Sequence, residues 1–108
     1  MTASALQTTE SLHNELWTSL ASLLRSYTAL HGLHRNGAAA VEHSEKIIRV
    51  CHGEKFLVLA RDHEIITWTR ENGSSGRMEI SETGRLRSGA SEEEMDLAAE
   101  AWARELMR

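Results

Sequence analysis

Histidines are the residues whose chemistry stands out first, since six occur in a chain of 108 residues. His31 and His34 are separated by three positions, so on a helix their side chains would share a face. A transition-metal site needs about three or four converging ligands, and a histidine from a strand would extend the pair. The sequence contains neither HExxH nor paired CxxC. A metal- or ligand-binding protein or small enzyme that uses His31, His34 and a strand histidine is therefore an alternative hypothesis, and no cofactor is predicted.

The only cysteine of the chain, Cys51, is directly followed by a possible base, His52. Adjacent residues of a regular strand point to opposite faces of the sheet, so His52 would not activate the Cys51 thiol. The loop ENGSSG at 71–76 contains glycines but no lysine, and no helix is predicted after it, so it lacks the context of a phosphate-binding loop. These patterns favour a protein without catalytic residues.

Arginines outnumber lysines ten to two, and several fall on predicted strands. Arg49, Arg61 and Arg70 share one nominal face with Trp68, and a basic sheet with an aromatic residue is a surface on which single-stranded nucleic acids bind. The segment 41–88 carries eight bases and eight acids, and the whole chain has a net charge of −4. That balance argues against a nucleic-acid partner, because phosphate neutralisation requires a basic surface. Binding of nucleic acid through the strand arginines is a second alternative.

The first element that would position these groups is an amphipathic helix at 9–34, after a loose tail at 1–8. Its apolar residues recur at helical spacing, with steps of four, three, four and three: Leu16, Leu20, Leu23, Tyr27 and Leu30. Gly32 or Gly37 would end it.

The other face of this helix is small and uncharged, whereas a solvated helix face usually carries lysine and glutamate. Small residues allow helices to approach closely, so this face is a candidate contact with a second copy or another protein. The tentative interface consists of Trp17, Ser22, Ser26 and Ala29.

An antiparallel sheet is predicted over 45–88 from runs rich in branched and aromatic residues. The runs are Lys46–His52, Lys55–Arg61, Glu64–Arg70, Arg77–Glu82 and the short Arg85–Ser88. The first three are joined by the two-residue connections Gly53-Glu54 and Asp62-His63, which are too short for parallel crossovers.

The second run is apolar at every position from Phe56 to Ala60, whereas a strand with one solvated face should alternate. This strand is therefore predicted to be central and covered on both faces. Either the two helices cover one face each, or both lie on one face and a partner covers the other. The second arrangement favours a non-catalytic interaction or regulatory module that acts as a homodimer or binds another protein.

A second amphipathic helix is predicted at 91–107, since Ser91 and Glu94 have the spacing of a capping box. Its apolar stripe contains Met95, Ala98, Ala99, Trp102 and Leu106. The expected fold is thus a single α+β domain over 1–108, an antiparallel β-meander of four to five strands flanked by two helices.

The compartment is predicted from cysteine usage and hydropathy. One cysteine permits no disulfide within the chain, no signal peptide is visible, and no stretch approaches the roughly 18 apolar residues of a membrane span. The expectation is a cytoplasmic protein without membrane contact.

Overall fold

The chain folds as a seven-stranded antiparallel sheet with a helix at each end, in a computed structural model that describes residues 2–32 and 39–108. The helices are α1 (Thr2–His31) and α2 (Met95–Leu106). The strands, which neighbour one another in sequence order, are β1 (Ala40–His43), β2 (Ile47–His52), β3 (Lys55–Asp62), β4 (Ile65–Arg70), β5 (Ser75–Ile80), β6 (Arg85–Ser88) and β7 (Ser91–Glu94). The predicted α+β class and antiparallel meander are confirmed, and the strand count is higher than the predicted four to five.

The hairpins from β2 to β4 follow the predicted two-residue connections with one shift. Gly53 has a φ of 62°, as a tight hairpin turn requires. The next turn is His63-Glu64 and not Asp62-His63, because Asp62 still pairs with Ile65. His63 takes the left-handed conformation with φ 56°, which histidine tolerates better than branched residues do.

The sheet gains one strand at each edge relative to the prediction. β1 pairs Val41 with Val50 just before the predicted sheet at 45–88, in a four-residue segment where Val41 is the one strong strand former. At the other edge, Ser91–Glu94 forms β7 and not the first turn of a helix. Gly89, with φ 60°, turns β6 back onto β7, and opposite charges then face each other at Arg87 and Glu92.

This pairing overrides the capping box, so the prediction of a helix from residue 91 was wrong. The backbone groups of 91–94 bond to a neighbouring strand, and α2 starts at Met95 with no side-chain hydrogen bond at its N-cap, Glu94.

The first helix begins earlier than predicted, at Thr2, so residues 2–8 are helical and not a loose tail. The segment contains alanine, leucine and glutamine and lacks glycine and proline, which is a composition that favours a helix. The predicted last positions, 33 and 34, lie outside the described residues.

Both helices pack against the same face of the sheet and against each other. The resulting core is closed to solvent, with fully buried residues from α1, α2 and the sheet: Leu20, Leu24, Ala99, Leu106, Ile48, Val50, Leu57, Leu59 and Ile66. The Trp17 indole N–H donates to the Ser44 carbonyl at 2.8 Å and fixes α1 over the β1–β2 turn. Burial of each large aliphatic side chain contributes about 1.5–3 kcal/mol.

Candidate interaction surface

The register of the sheet divides the apolar strand β3 between two environments. Leu57 and Leu59 lie on the face that the helices cover, and both are fully buried. Because side chains alternate along a strand, Phe56, Val58 and Ala60 lie on the opposite face. No helix of the described residues packs on that opposite face, which we call the open face. Within residues 2–32 and 39–108, only one side of this strand is therefore covered.

Six apolar or weakly polar residues gather at the centre of the open face. Cys51 pairs with Phe56 and Ile47 with Ala60, while Ile65 follows on the neighbouring strand. We call this set the open-face stripe: Ile47, Cys51, Phe56, Val58, Ala60 and Ile65. Five of its members are only partly buried, and Ile47 is 38% exposed. The stripe is continuous along β3. On the neighbouring strands, Arg49 lies opposite Val58, while Thr69 and Thr67 lie opposite Val58 and Ala60.

Charged residues of both signs border the stripe. Glu42 faces Arg49 across β1 and β2, and Glu79 faces Arg87 across β5 and β6 with an N–O distance of 4.0 Å. Arg77 lies exposed on β5. An apolar centre with a polar, charged rim is the usual anatomy of a protein–protein interface.

The strand arginines do not share the face predicted from the sequence. Arg49 lies on the open face, whereas Arg61 and Arg70 lie on the helix-covered face with Trp68. Trp68 packs closely over Gly76, where an added Cβ would lie 2.5 Å from the indole nitrogen. The predicted basic and aromatic surface is therefore split between the two faces, because the Gly53-Glu54 turn pairs Arg49 with Val58 and so places it on the face opposite to Arg61.

Arg61 is a structural residue under α1, with its side chain only 4% exposed. It donates to the carbonyls of His63 at 3.0 Å and Glu45 at 3.4 Å, and to the side-chain oxygen of Asn14. Its guanidinium also lies 5.9 Å from the centre of the Trp17 ring. A buried cation that is satisfied in this way holds the middle of α1 on the sheet.

Two glutamates have a lowered pKa, Glu71 directly after β4 and Glu10 on α1. Glu71 is partly desolvated, which alone would raise its pKa. That effect is outweighed by the Phe56 N–H, which donates to its carboxylate at 3.2 Å, and by Arg70 at 3.3 Å. The pKa of Glu10 is lowered chiefly by a hydrogen bond from His63 at 3.2 Å. Both contacts tie a chain segment to the sheet.

The histidines serve separate contacts. His31 bonds to Glu100 at 2.6 Å and joins α1 to α2, and His34 lies outside the described residues. His52 donates from Nδ1 to the Leu106 carbonyl at 3.2 Å. Within 2–32 and 39–108, no three histidine, cysteine or acidic side chains are placed to hold a metal ion.

The predicted interface on α1 divides into a buried and an exposed part. Trp17 is 1% exposed and belongs to the core of its own chain, so its side chain is not available to a partner. Ser22, Ser26 and Ala29 are exposed on the outer side of α1, where Ser22 and Ser26 line a shallow groove.

Cys51 and His52 lie on opposite faces of β2, as the strand periodicity predicts. Cys51 belongs to the open-face stripe, and His52 contacts α2. The uninterrupted apolar run of β3 indicated this stripe in the sequence. Its members on β2 and β4 could be identified only once the pairing of the strands was known.

No family model, curated protein or solved structure matches this chain. Among the described residues, no helix combines the length and the hydropathy needed to cross a membrane.

Proposed function

We propose that this protein is a non-catalytic interaction module that forms a homodimer by packing two open faces against each other. The observation that carries the proposal is the placement of both helices on one side of a sheet whose central strand is apolar on both sides. Two open faces would bury the stripe in the way that two sheets form a sandwich, about 10 Å apart.

The dimensions of the face fit a modest interface. Five central strands of about six residues cover roughly 24 Å by 20 Å, or about 500 Å² in projection. Stable interfaces bury about 800 Å² on each partner. The surface of the protruding side chains and of the rim residues must therefore add to the projected area. A dimer that forms at micromolar protein concentration is more consistent with this area than an obligate one.

The charge pattern favours a second copy over a polyanion. The rim carries both arginine and glutamate, as at the neighbouring positions Glu42 and Arg49. A two-fold axis places the same patch on both partners, so each rim arginine can meet a rim acid of the other copy. A nucleic acid would instead require a face on which positive charge predominates.

Light scattering after size-exclusion chromatography tests the proposal over a range of protein concentrations. The average molar mass of the wild-type protein should rise from the chain mass of 12.1 kDa toward twice that mass as the concentration increases. Val58→Glu should stay monomeric, because dimerisation would remove water from the new carboxylate and from Arg49, the residue opposite it on β2, and this desolvation outweighs their attraction. Ser22→Glu is the matched control, since it adds the same charge on the exposed side of α1.

A concentration-independent mass near 12.1 kDa for the wild type would contradict the dimer. If Ser22→Glu dissociates the dimer while Val58→Glu does not, the interface lies on the helix surface with Ser22, Ser26 and Ala29. Unchanged circular dichroism spectra establish that both variants are folded.

A further inference from the structure

A second apolar surface that is open to solvent lies beside β7, away from the open-face stripe. A cleft of about 160 Å³ opens on the helix-covered side of the sheet, between α2 and strands β5 to β7. Its apolar wall comes from the sheet and from α2, and consists of Met78, Leu86, Ala98, Ala101 and Trp102. A space of this size is comparable to a cavity of about 150 Å³ that holds a benzene ring. It therefore fits one apolar side chain.

The edge of the sheet runs along this cleft. In the part of the chain that the structure describes, β7 pairs with β6 alone, and Ser91 and Glu93 line the cleft. The two-residue turn makes Ser88 and Ser91 a hydrogen-bonded pair, and such pairs alternate along antiparallel strands. The N–H and C=O of Glu92 consequently point outward from the sheet. An additional strand can bond to them.

The charge at this edge selects the partner. Glu92, Glu93 and Glu94 are consecutive and exposed, and the segment 89–108 holds six acids against two bases. Glu93 shares the cleft side with Leu86, while Glu92 and Glu94 lie on the opposite side of the strand. A second copy of β7 would place acid beside acid, whereas a basic strand would be attracted.

We infer that β7 and its cleft bind an extended peptide segment of another protein in which apolar side chains alternate with lysine or arginine. Because cross-strand neighbours share a face, the basic side chains lie beside Glu92 and Glu94. The apolar side chains point to the other face, and one of them enters the cleft. This binding adds one strand at the edge of the sheet and leaves the open-face stripe on β2 to β4 free for self-association.

Fluorescence polarisation with the labelled peptide Lys-Val-Lys-Phe-Lys-Val tests the inference on the full-length protein. Glu92→Lys should weaken binding at least about tenfold, because it reverses the charge beside the peptide. Ala101→Leu should also weaken it, because leucine fills the cleft and remains compatible with α2. Glu105→Lys is the matched control, since it makes the same charge change at an exposed position of α2 outside the cleft, and it should bind within about twofold.

Two further peptides separate strand addition from simple charge attraction. A peptide with N-methyl groups on the backbone nitrogens of its lysines keeps its charge. It loses the donors that would face β7, so it should lose binding. A peptide with glutamate in place of lysine should not bind. Equal binding of the N-methylated and unmodified peptides, or equal weakening by Glu92→Lys and Glu105→Lys, would overturn the inference. Val58→Glu, which removes the proposed dimer interface, should bind the peptide as the wild type does, so the two proposals fail or succeed separately.

Discussion

The two faces of β3 share a backbone and a nearly uniform apolar sequence, yet they have different surroundings. Leu57 and Leu59 are sealed under α1 and α2, while Phe56 and Val58 remain partly exposed on the open face. The covered face is completed by the chain itself. In the part of the chain that the structure describes, nothing covers the open face, and that asymmetry distinguishes residues that stabilise the fold from residues that we propose to form an assembly interface.

The largest expected contrast is between two neighbouring residues of β3. Leu59→Ala should lower the free energy of unfolding by about 2–5 kcal/mol, because it leaves a cavity in a closed core. Val58→Ala should cost less than about 1 kcal/mol in the monomer, because its site already contacts solvent. Urea denaturation at a concentration that keeps the protein monomeric measures both. Equal losses would mean that the open face is as firmly packed as the covered one.

A smaller contrast is expected between two arginines of the sheet. Arg61→Met removes a buried cation and leaves the Asn14 side chain and two carbonyls without their donor, which should cost about 1–3 kcal/mol. Arg49 is exposed on the open face, so Arg49→Met should change the free energy of unfolding by less than about 0.5 kcal/mol. If Arg49→Met is the more destabilising, the assignment of Arg61 as the structural residue is wrong.

The smallest effect concerns Glu71, which accepts from the first residue of the stripe on β3, Phe56. The folded state lowers its pKa, so the ionised carboxylate stabilises the fold above the unfolded-state pKa of about 4.3. That contribution disappears as the pH falls through the folded-state pKa. The free-energy difference between wild type and Glu71→Gln should therefore favour the wild type at pH 7 and shrink toward pH 3. A difference that is constant over this range in urea titrations would contradict the lowered pKa.

Most of the sheet was predictable because its signals are local. The runs of β2, β3 and β4 are apolar and branched, and two-residue turns between them force antiparallel pairing. The position of His63 in the turn was not predictable, since a one-residue shift depends on which residue accepts a positive φ. That shift changes which residues pair across β3 and β4, but both turns leave Trp68 and Arg70 on the face of Arg61. Arg49 is separated from them because it pairs with Val58, on the other face of β3.

The two edge strands were missed for different physical reasons. Ala40–His43 is only four residues long and has one strong strand former, Val41, so its sequence does not indicate a strand, and only pairing with β2 makes it one. Ser91–Glu94 has a local helix-start pattern, but cross-strand contacts with Arg85 and Arg87 outweigh it. For the candidate interface, the sequence indicated the need for cover over Phe56–Ala60. It did not indicate that both helices lie on one side, because that placement depends on long-range packing.

Cys51 provides the most direct test of the open face as a self-association surface, because it is the only cysteine and belongs to the stripe. The rate constant for its alkylation by iodoacetamide should fall as the wild-type concentration rises through the dimerisation range, since the partner covers the thiol. In Val58→Glu, the rate constant should stay the same at every concentration. If wild-type Cys51 reacts at one rate throughout while light scattering reports a dimer, the open face is not the interface.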